Sequence, residues 1–149
     1  MGKIYTALGL MSGTSLDGVD VSIIESDGER EFSSIFNKYF EYDSKIIEKI
    51  LIIREKISVS EDLESNKEEI NALEKEITLF QAEAVNDTFK LSNADVDLIG
   101  FHGQTIFHNP EKKISKQLGD GKLLSQLTKK KVIYNFRQND INNGGQGAP

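Results

Sequence analysis

A short polar bend between two apolar runs constrains this chain more than any other feature. The runs are Ile4–Met11 and Val19–Ile24, and the residues between them read Ser-Gly-Thr-Ser-Leu-Asp-Gly. Apolar runs of this length on either side of turn-forming residues predict two strands of a hairpin. Gly13 and Gly18 permit positive φ and allow another molecule to approach the backbone closely.

The chemistry of the bend admits two interpretations. Thr14 and Ser15 add hydroxyl donors, and successive free N–H groups in such a bend form a concave anion site. Asp17 suits a hydrated Mg²⁺, which accepts one or two carboxylates and keeps most of its waters. The alternative is an ordinary hairpin loop, because these residues are good turn formers. Spacing alone favours the ordinary loop, and the segment lacks the lysine of the Gly-x4-Gly-Lys-Ser/Thr phosphate loop.

Composition places the chain among globular proteins and argues against several partners. Its 149 residues suggest one domain, with 38% hydrophobic and 28% charged residues. The formal net charge of −6 argues against nucleic acid or an anionic membrane as the main partner. The absence of cysteine excludes disulfides and thiolate metal sites and fits the cytoplasm.

Three strand-like segments open the chain, and two helical patterns follow. Strands are predicted at Lys3–Met11, Gly18–Ser26 and Ser33–Tyr42, with a hairpin turn at Asp27-Gly28. A short amphipathic helix, capped by Asp43 or Ser44, comes next.

A single longer helix is predicted from near Ser60 to Asn93. About three heptads are present, so packing on the same domain is favoured over a coiled coil. Its apolar positions are Leu63, Ile70, Leu73, Ile77, Phe80 and Ala84.

The second half of the chain alternates strands and helices. Val96–Phe101 is typical of a buried strand that ends in a functional loop at residues 102–105. Further strands are predicted at Ile114–Leu118 and Val132–Phe136, with a helix over Asp120–Lys130. Three antiparallel strands followed by strand–helix alternation predict an α/β fold, a mixed sheet covered by helices.

The chain ends on Gly-Gly-Gln-Gly-Ala-Pro. A glycine-rich loop usually joins two ordered elements, so we expect this end to be a truncation point.

Three segments together resemble the anhydro-N-acetylmuramic acid kinase family. They are Gly9–Asp20, His102–His108 and Phe136–Pro149, the last containing Gly-Gly-Gln-Gly-Ala-Pro. The family belongs to the actin/hexokinase superfamily, whose lobes share a ribonuclease-H-like core. The resemblance covers only the first lobe, so residues 1–149 are expected to form a single domain, the N-terminal lobe of a two-lobed sugar kinase.

The resemblance implies an ATP-dependent enzyme of cell-wall (murein) recycling in the cytoplasm. It would open the 1,6-anhydro ring of anhydro-N-acetylmuramic acid with water and phosphorylate O6, giving N-acetylmuramic acid 6-phosphate. This chemistry requires a carboxylate base for the water, and Mg²⁺ with oriented donors for the phosphoryl group.

By the same resemblance, the bend becomes the first phosphate loop, facing the β- and γ-phosphates of ATP. Asp17 is the expected metal contact, through water, because Met11 and Ser12 stand where many superfamily members carry an acid. The expected ATP-binding residues are Gly13, Thr14, Ser15, Leu16, Asp17, Gly18, Val19 and Asp20.

The sugar is expected to meet residues from the other two segments. Gln104 and Thr105 would line the sugar cleft. Arg137 suits the lactyl carboxylate of the muramic sugar through bidentate hydrogen bonds, and Asp140 would accept sugar hydroxyls. The alternative for Arg137 and Asp140 is a salt bridge that shapes the loop.

His102 and His108 are expected to be structural, one imidazole near the core and one at the surface. A two-histidine metal site lacks a clear third ligand.

Some expected features differ or lie outside the sequence. Asn135 replaces a common Asp before Phe-Arg, and Asn142-Asn143 replaces small apolar residues. The family's catalytic aspartate and adenosine site belong to the second lobe, so no catalytic residue is assigned in this chain. We expect the lobe alone to be inactive. The alternative function is an inactive stand-alone lobe that forms a homodimer or binds a phosphate ligand.

Overall fold

The computed structural model describes residues 2–148 as one mixed sheet with helices packed against it. The six strands are β1 Tyr5–Ser12, β2 Gly18–Ser26, β3 Phe32–Glu41, β4 Leu98–Asn109, β5 Ile114–Leu118 and β6 Lys131–Tyr134. The five helices are α1 Ser44–Lys56, α2 Glu61–Ser65, α3 Lys67–Ser92, α4 Gly121–Thr128 and α5 Phe136–Asn142. Among residues 2–148, none of the helices has the length and hydropathy that a membrane span requires.

The sheet has the topology that the sequence predicts. Its path is β3-β2-β1-β4-β5, and β6 pairs with the first half of β4. β1, β2 and β3 are antiparallel to one another in order, whereas β4 runs parallel to β1 and β6 runs parallel to β4. The predicted α/β fold, with three antiparallel strands and then strand–helix alternation, is therefore confirmed.

Helix α1 begins where the sequence indicates. The Asp43 carboxylate accepts the N–H groups of Lys45 and Ile46, so Asp43, and not Ser44, is the N-cap. Its buried residues Ile46 and Ile50 face the core, whereas Leu51 lies on the exposed side.

The single helix predicted from Ser60 is wrong at its start, because two helices cover this segment. Asn66 ends α2 and precedes α3, with φ of −107° and ψ of 17°, outside the helical region. Its side-chain amide donates to the Asp62 carbonyl, a local bond that closes the first helix. The α3 residues Ile70, Leu73 and Ile77 are buried, as the packing prediction requires.

Two buried apolar clusters lie between the sheet and the helices. One joins β1, β2 and β4 to the C-terminal half of α3 and to α4. The other contains Leu16 and Tyr42 together with residues of α1, α3, β4 and β5. The second cluster lies under the polar bend and gives it a rigid base.

Two predicted loops have regular structure instead. β4 continues through His102–Thr105, because Gly103 adopts φ of 77° and bends the strand without ending it. The segment after β6 forms α5, which begins after Asn135 in the left-handed conformation and buries Ile141. Polar residues flank Ile141 in the sequence, so no repeating pattern of apolar residues predicts the helix.

Candidate functional site

The bend between β1 and β2 is a tight turn anchored by one apolar side chain. The Leu16 N–H donates to the Gly13 carbonyl at 3.4 Å. Leu16 is only 3% exposed and packs into the cluster that contains Tyr42 and Ile46. The anchor fixes the bend to the core, so Leu16 supports the loop from below.

The glycines of the bend have roles other than the predicted one. Leu16, with φ of 60°, is the bend residue in the left-handed region, whereas neither Gly13 nor Gly18 has a positive φ. Glycine is required at position 18 because the backbone of β3 passes close to it: a Cβ there would lie 2.2 Å from the Phe40 carbonyl oxygen. The neighbouring strand β3, and not a ligand, occupies that space.

The outer part of the bend is open. Thr14, Ser15 and Asp17 are exposed. Among the residues that the structure describes, the backbone N–H groups of Thr14 and Ser15 donate to no acceptor. Two consecutive amides without an internal partner are the basic element of an anion site.

The last three residues of the predicted ATP loop, Gly18–Asp20, already belong to β2. Val19 is fully buried in the sheet core, whereas Asp20 is exposed and pairs with Tyr39 across the ladder. The Val19 side chain therefore faces away from any ligand at the bend.

Asp17 is an ionised carboxylate beside the exposed amides. The Ser15 hydroxyl donates to it, and this bond is the main cause that lowers the pKa of Asp17. Partial desolvation, followed by the Asp17 charge, raises the pKa of the nearby Tyr39. A single exposed carboxylate fits a Mg²⁺ that keeps most of its waters. Within residues 2–148 no group of three or more potential ligands could hold a metal ion directly.

Gln104 and Thr105 lie on β4 and do not line the same cavity as Arg137. Gln104 is completely buried, and both ends of its amide are bonded, one to the Ser12 hydroxyl and one to the Gly13 carbonyl. Thr105 accepts a bond from the Gln117 amide at 3.2 Å. The structure thus brings Gln104 to the polar bend.

Arg137, the second residue of α5, forms a hydrogen-bonded pair with His102 of β4. The Arg137 Nε donates to His102 Nε2 at 2.9 Å, so that nitrogen carries no proton. His102 Nδ1 lies 2.8 Å from the Gly103 carbonyl and must be the protonated one. Burial, helped by the Arg137 charge, lowers the pKa of His102, which keeps the ring neutral.

Arg137 and Asp140 line an open cavity of about 350 Å³ together with Phe136, Gly147 and Ala148. Within the described range they form no ion pair, so the predicted salt bridge is wrong. Asp140 instead accepts the Gly147 N–H at 2.8 Å, which folds the glycine-rich segment back over α5. A Cβ on Gly145 would overlap the Asp140 carboxylate and so displace it from the Gly147 amide.

Comparison with known proteins agrees with the resemblance. A family model described as anhydro-N-acetylmuramic acid kinase matches residues 5–149. The chain belongs to this family.

Named relatives support the same assignment. An anhydro-N-acetylmuramic acid kinase of Pelagibacter ubique is 61% identical over 149 residues, which are 100% of this chain and 40% of that protein. The enzyme of the same name from Agrobacterium fabrum is 37% identical over 155 residues, covering 100% of this chain and 41% of its own length. The chain therefore spans about two fifths of the length of these curated relatives.

Within the anhydro-N-acetylmuramic acid kinase family, the asparagines that depart from the expected pattern have local structural roles here. Asn135 adopts φ of 64°, a conformation that asparagine tolerates better than most residues. Asn142 accepts the Gln138 amide, and Asn143 donates to the Asn139 carbonyl.

Sequence reasoning about this family member missed the buried polar side chains beneath the bend. Tyr42 and Gln81 are 2% and 0% exposed, and the Gln81 amide donates to the Tyr42 hydroxyl at 2.9 Å. The available signal was a glutamine four residues after Ile77, on the apolar face of the long helix.

The neutral His102 predicts a pH dependence of stability. The unfolded chain binds a proton at the ordinary histidine pKa of about 6.5, whereas folded His102 binds it only at a lower pH, so folding becomes less favourable as the pH falls below that value. We expect His102→Gln to reduce the loss of melting temperature between pH 7.5 and pH 5.5, as measured by thermal unfolding.

The second histidine provides the matched control. His108 is exposed and contacts Ser115 at 2.9 Å. His108→Gln should keep the full pH dependence. Equal loss of melting temperature in all three proteins would show that His102 does not titrate as described.

Proposed function

We propose that this chain is the N-terminal lobe of an ATP-dependent kinase that acts on anhydro-N-acetylmuramic acid. The reaction opens the 1,6-anhydro ring with water and phosphorylates O6, giving N-acetylmuramic acid 6-phosphate in cytoplasmic cell-wall recycling. The observation that carries the proposal is the bend at residues 13–17. It is rigidly anchored through Leu16 and presents the unpartnered N–H groups of Thr14 and Ser15 at the surface.

The bend is proposed to hold the β- and γ-phosphates of ATP. Two adjacent amides favour an anionic oxygen, and donors of fixed orientation need no reorganisation as charge develops during phosphoryl transfer. Asp17 would hold Mg²⁺ through its waters, and the ion would supply charge neutralisation at the phosphates. The ionised state of Asp17, stabilised by Ser15, supports that assignment.

The sugar is proposed to lie against the cavity beside α5. The Arg137 Nε already donates to His102 Nε2, whereas among the described residues no acceptor receives a hydrogen bond from the two Nη groups. The Nη pair therefore offers the fork that binds a carboxylate such as the lactyl group. Asp140 lines the same cavity, where one of its oxygens already holds the Gly147 amide.

The remaining parts are proposed to come from the part of the kinase that this chain does not match. They are the carboxylate that activates water at C1 and the adenosine site. The 40% coverage of the Pelagibacter ubique relative supports a division of the site between two lobes. The chain alone should consequently show no turnover.

A hybrid enzyme tests the proposal. The 149 residues would replace the matching segment of the Pelagibacter ubique kinase, from which they differ at 39% of positions because identity is 61%. We expect ADP release that depends on anhydro-N-acetylmuramic acid, with mass spectrometry showing the 6-phosphate. The intact Pelagibacter ubique enzyme serves as the positive control. A folded hybrid without activity, beside an active control, would contradict the proposal.

The alternative of an inactive, self-associating lobe makes a different prediction for the chain alone. Sedimentation would then give a dimer, and the hybrid would lack kinase activity. A monomeric chain together with an active hybrid excludes it.

A further inference from the structure

We propose that Gln104 is a positioning residue that orients the Thr14 N–H toward the phosphates of ATP. This inference rests on the proposed function and goes beyond it, because Gln104 touches neither ATP nor the sugar in this arrangement. It acts through the peptide bond between Gly13 and Thr14.

The Gln104 amide joins two neighbouring strands to the bend. Gln104 is opposite Ser12 in the parallel β1–β4 ladder and is fully buried. Its Nε2 donates to the Gly13 carbonyl at 3.0 Å, and its Oε1 accepts the Ser12 hydroxyl at 2.6 Å. A carbonyl only accepts hydrogen bonds, so the orientation of the amide is determined by chemistry.

A chain of buried donors holds that orientation from the core. The single hydrogen of the Ser12 hydroxyl is directed at Gln104 Oε1 at 2.6 Å and at the Gly18 carbonyl at 3.0 Å, two oxygens that only accept. Toward the Tyr42 hydroxyl, at 2.9 Å, Ser12 is therefore the acceptor. Tyr42 in turn accepts from the Gln81 amide at 2.9 Å. Burial raises the pKa of Tyr42, which keeps the phenol protonated and able to donate. The bonds thus run in one direction, from α3 to the bend.

Peptide geometry transmits this direction to the surface. In a trans peptide the carbonyl of one residue and the N–H of the next point in opposite directions. Gln104 and the Leu16 N–H both draw the Gly13 carbonyl toward the protein, and the structure contains no cis peptide in the described range. The Thr14 N–H is therefore turned outward, where it has no internal acceptor.

The network is not optimal for stability alone. Gln81 Oε1 is buried and has no hydrogen-bond partner among the described residues. Such an orphaned acceptor lowers stability, and an apolar side chain at this position would avoid that loss. Retaining a polar chain there fits a role in directing the bend.

The experiment measures ATP and sugar kinetics in the hybrid enzyme. Gln104→Met keeps the side-chain volume and removes both hydrogen bonds, so the Leu16 N–H alone, at 3.4 Å, holds the Gly13 carbonyl. We expect the KM for ATP to rise roughly tenfold, the loss of one hydrogen bond to a charged group, with the KM for the sugar changed less than about twofold. Gln104→Leu, which also removes both hydrogen bonds, should behave similarly.

Thr128→Val is the matched stability control. Its hydroxyl makes a buried 2.8 Å bond to the Leu124 carbonyl in α4, away from the bend. It should lower the melting temperature as a lost buried hydrogen bond does, without a selective change in the KM for ATP. The two KM values distinguish positioning from general loss of folded protein.

The outcomes separate this inference from the proposed function. The parent hybrid is assayed first, and its activity tests the proposed function alone. If the parent is active and both Gln104 variants keep the parental KM for ATP, the positioning role is overturned. Equal increases in both KM values would also overturn it, because they indicate a general structural effect.

Discussion

Gly18→Ala is expected to destabilise the lobe by about 3 kcal/mol, the upper part of the range for inserting an atom into a packed site. The added Cβ would lie 2.2 Å from the Phe40 carbonyl oxygen and 2.7 Å from the Tyr39 hydroxyl. The first contact is with backbone in the paired strand β3, so a side-chain rotation cannot relieve it. Chemical unfolding of the purified chain measures the effect.

Gly9→Ala is the control within the same hairpin. A Cβ on Gly9 meets nothing within 4 Å, although the residue lies in β1. We expect a change near zero or a gain of up to about 1 kcal/mol, since alanine loses less conformational entropy in a strand. Similar destabilisation by both substitutions would refute the close-contact explanation for Gly18.

Arg137→Lys is expected to reduce kcat/KM for anhydro-N-acetylmuramic acid roughly 10- to 100-fold in the hybrid enzyme, the loss of a hydrogen bond between charged groups. Lysine keeps the positive charge, but it cannot present a planar fork and cannot donate to His102 in the same way. The KM for ATP should stay near the parental value, because Arg137 lies in α5 and not at the bend.

Two controls sharpen the Arg137 experiment. Arg30→Lys changes an exposed arginine in the turn between β2 and β3 and should leave both kinetic constants unchanged. An anhydro sugar with a hydroxyl in place of the lactyl ether should react equally slowly with the parent and with Arg137→Lys. If Arg137→Lys lowers kcat/KM for that analogue as much as it does for anhydro-N-acetylmuramic acid, Arg137 does not recognise the carboxylate.

The order of the strands and helices could be predicted from the sequence, because the spacing of apolar residues and the positions of turn-forming residues indicate the same elements. Val19, Val21 and Ile23 are buried and alternate with more exposed positions. Asp27-Gly28 marks the connection between β2 and β3, although this connection is a longer loop over residues 27–31 and not a two-residue turn. The ends of elements that depend on the backbone conformation of one residue could not be predicted. Gly103 indicates a loop by composition, yet its positive φ lets β4 continue, and α5 is held by one buried isoleucine among polar residues.

The candidate site was predictable only in part, for a similar physical reason. Thr14, Ser15 and Asp17 stand together in sequence, so the bend is visible in the one-dimensional pattern. The long-range bonds that orient it join residues separated by 30 to 92 positions, such as Ser12 to Tyr42 and Ser12 to Gln104. Only the parallel pairing of β1 with β4 brings Gln104 to Gly13, and no local pattern encodes that contact.

The most direct test of the account is a crystal structure of the hybrid enzyme with Mg²⁺ and a non-hydrolysable ATP analogue. We predict phosphate oxygens within about 2.7–3.2 Å of the Thr14 and Ser15 nitrogens, the normal range for such hydrogen bonds. The Gly13 carbonyl should still face Gln104. A bound analogue whose phosphates lie away from the bend, with both amides facing solvent, would contradict the central claim.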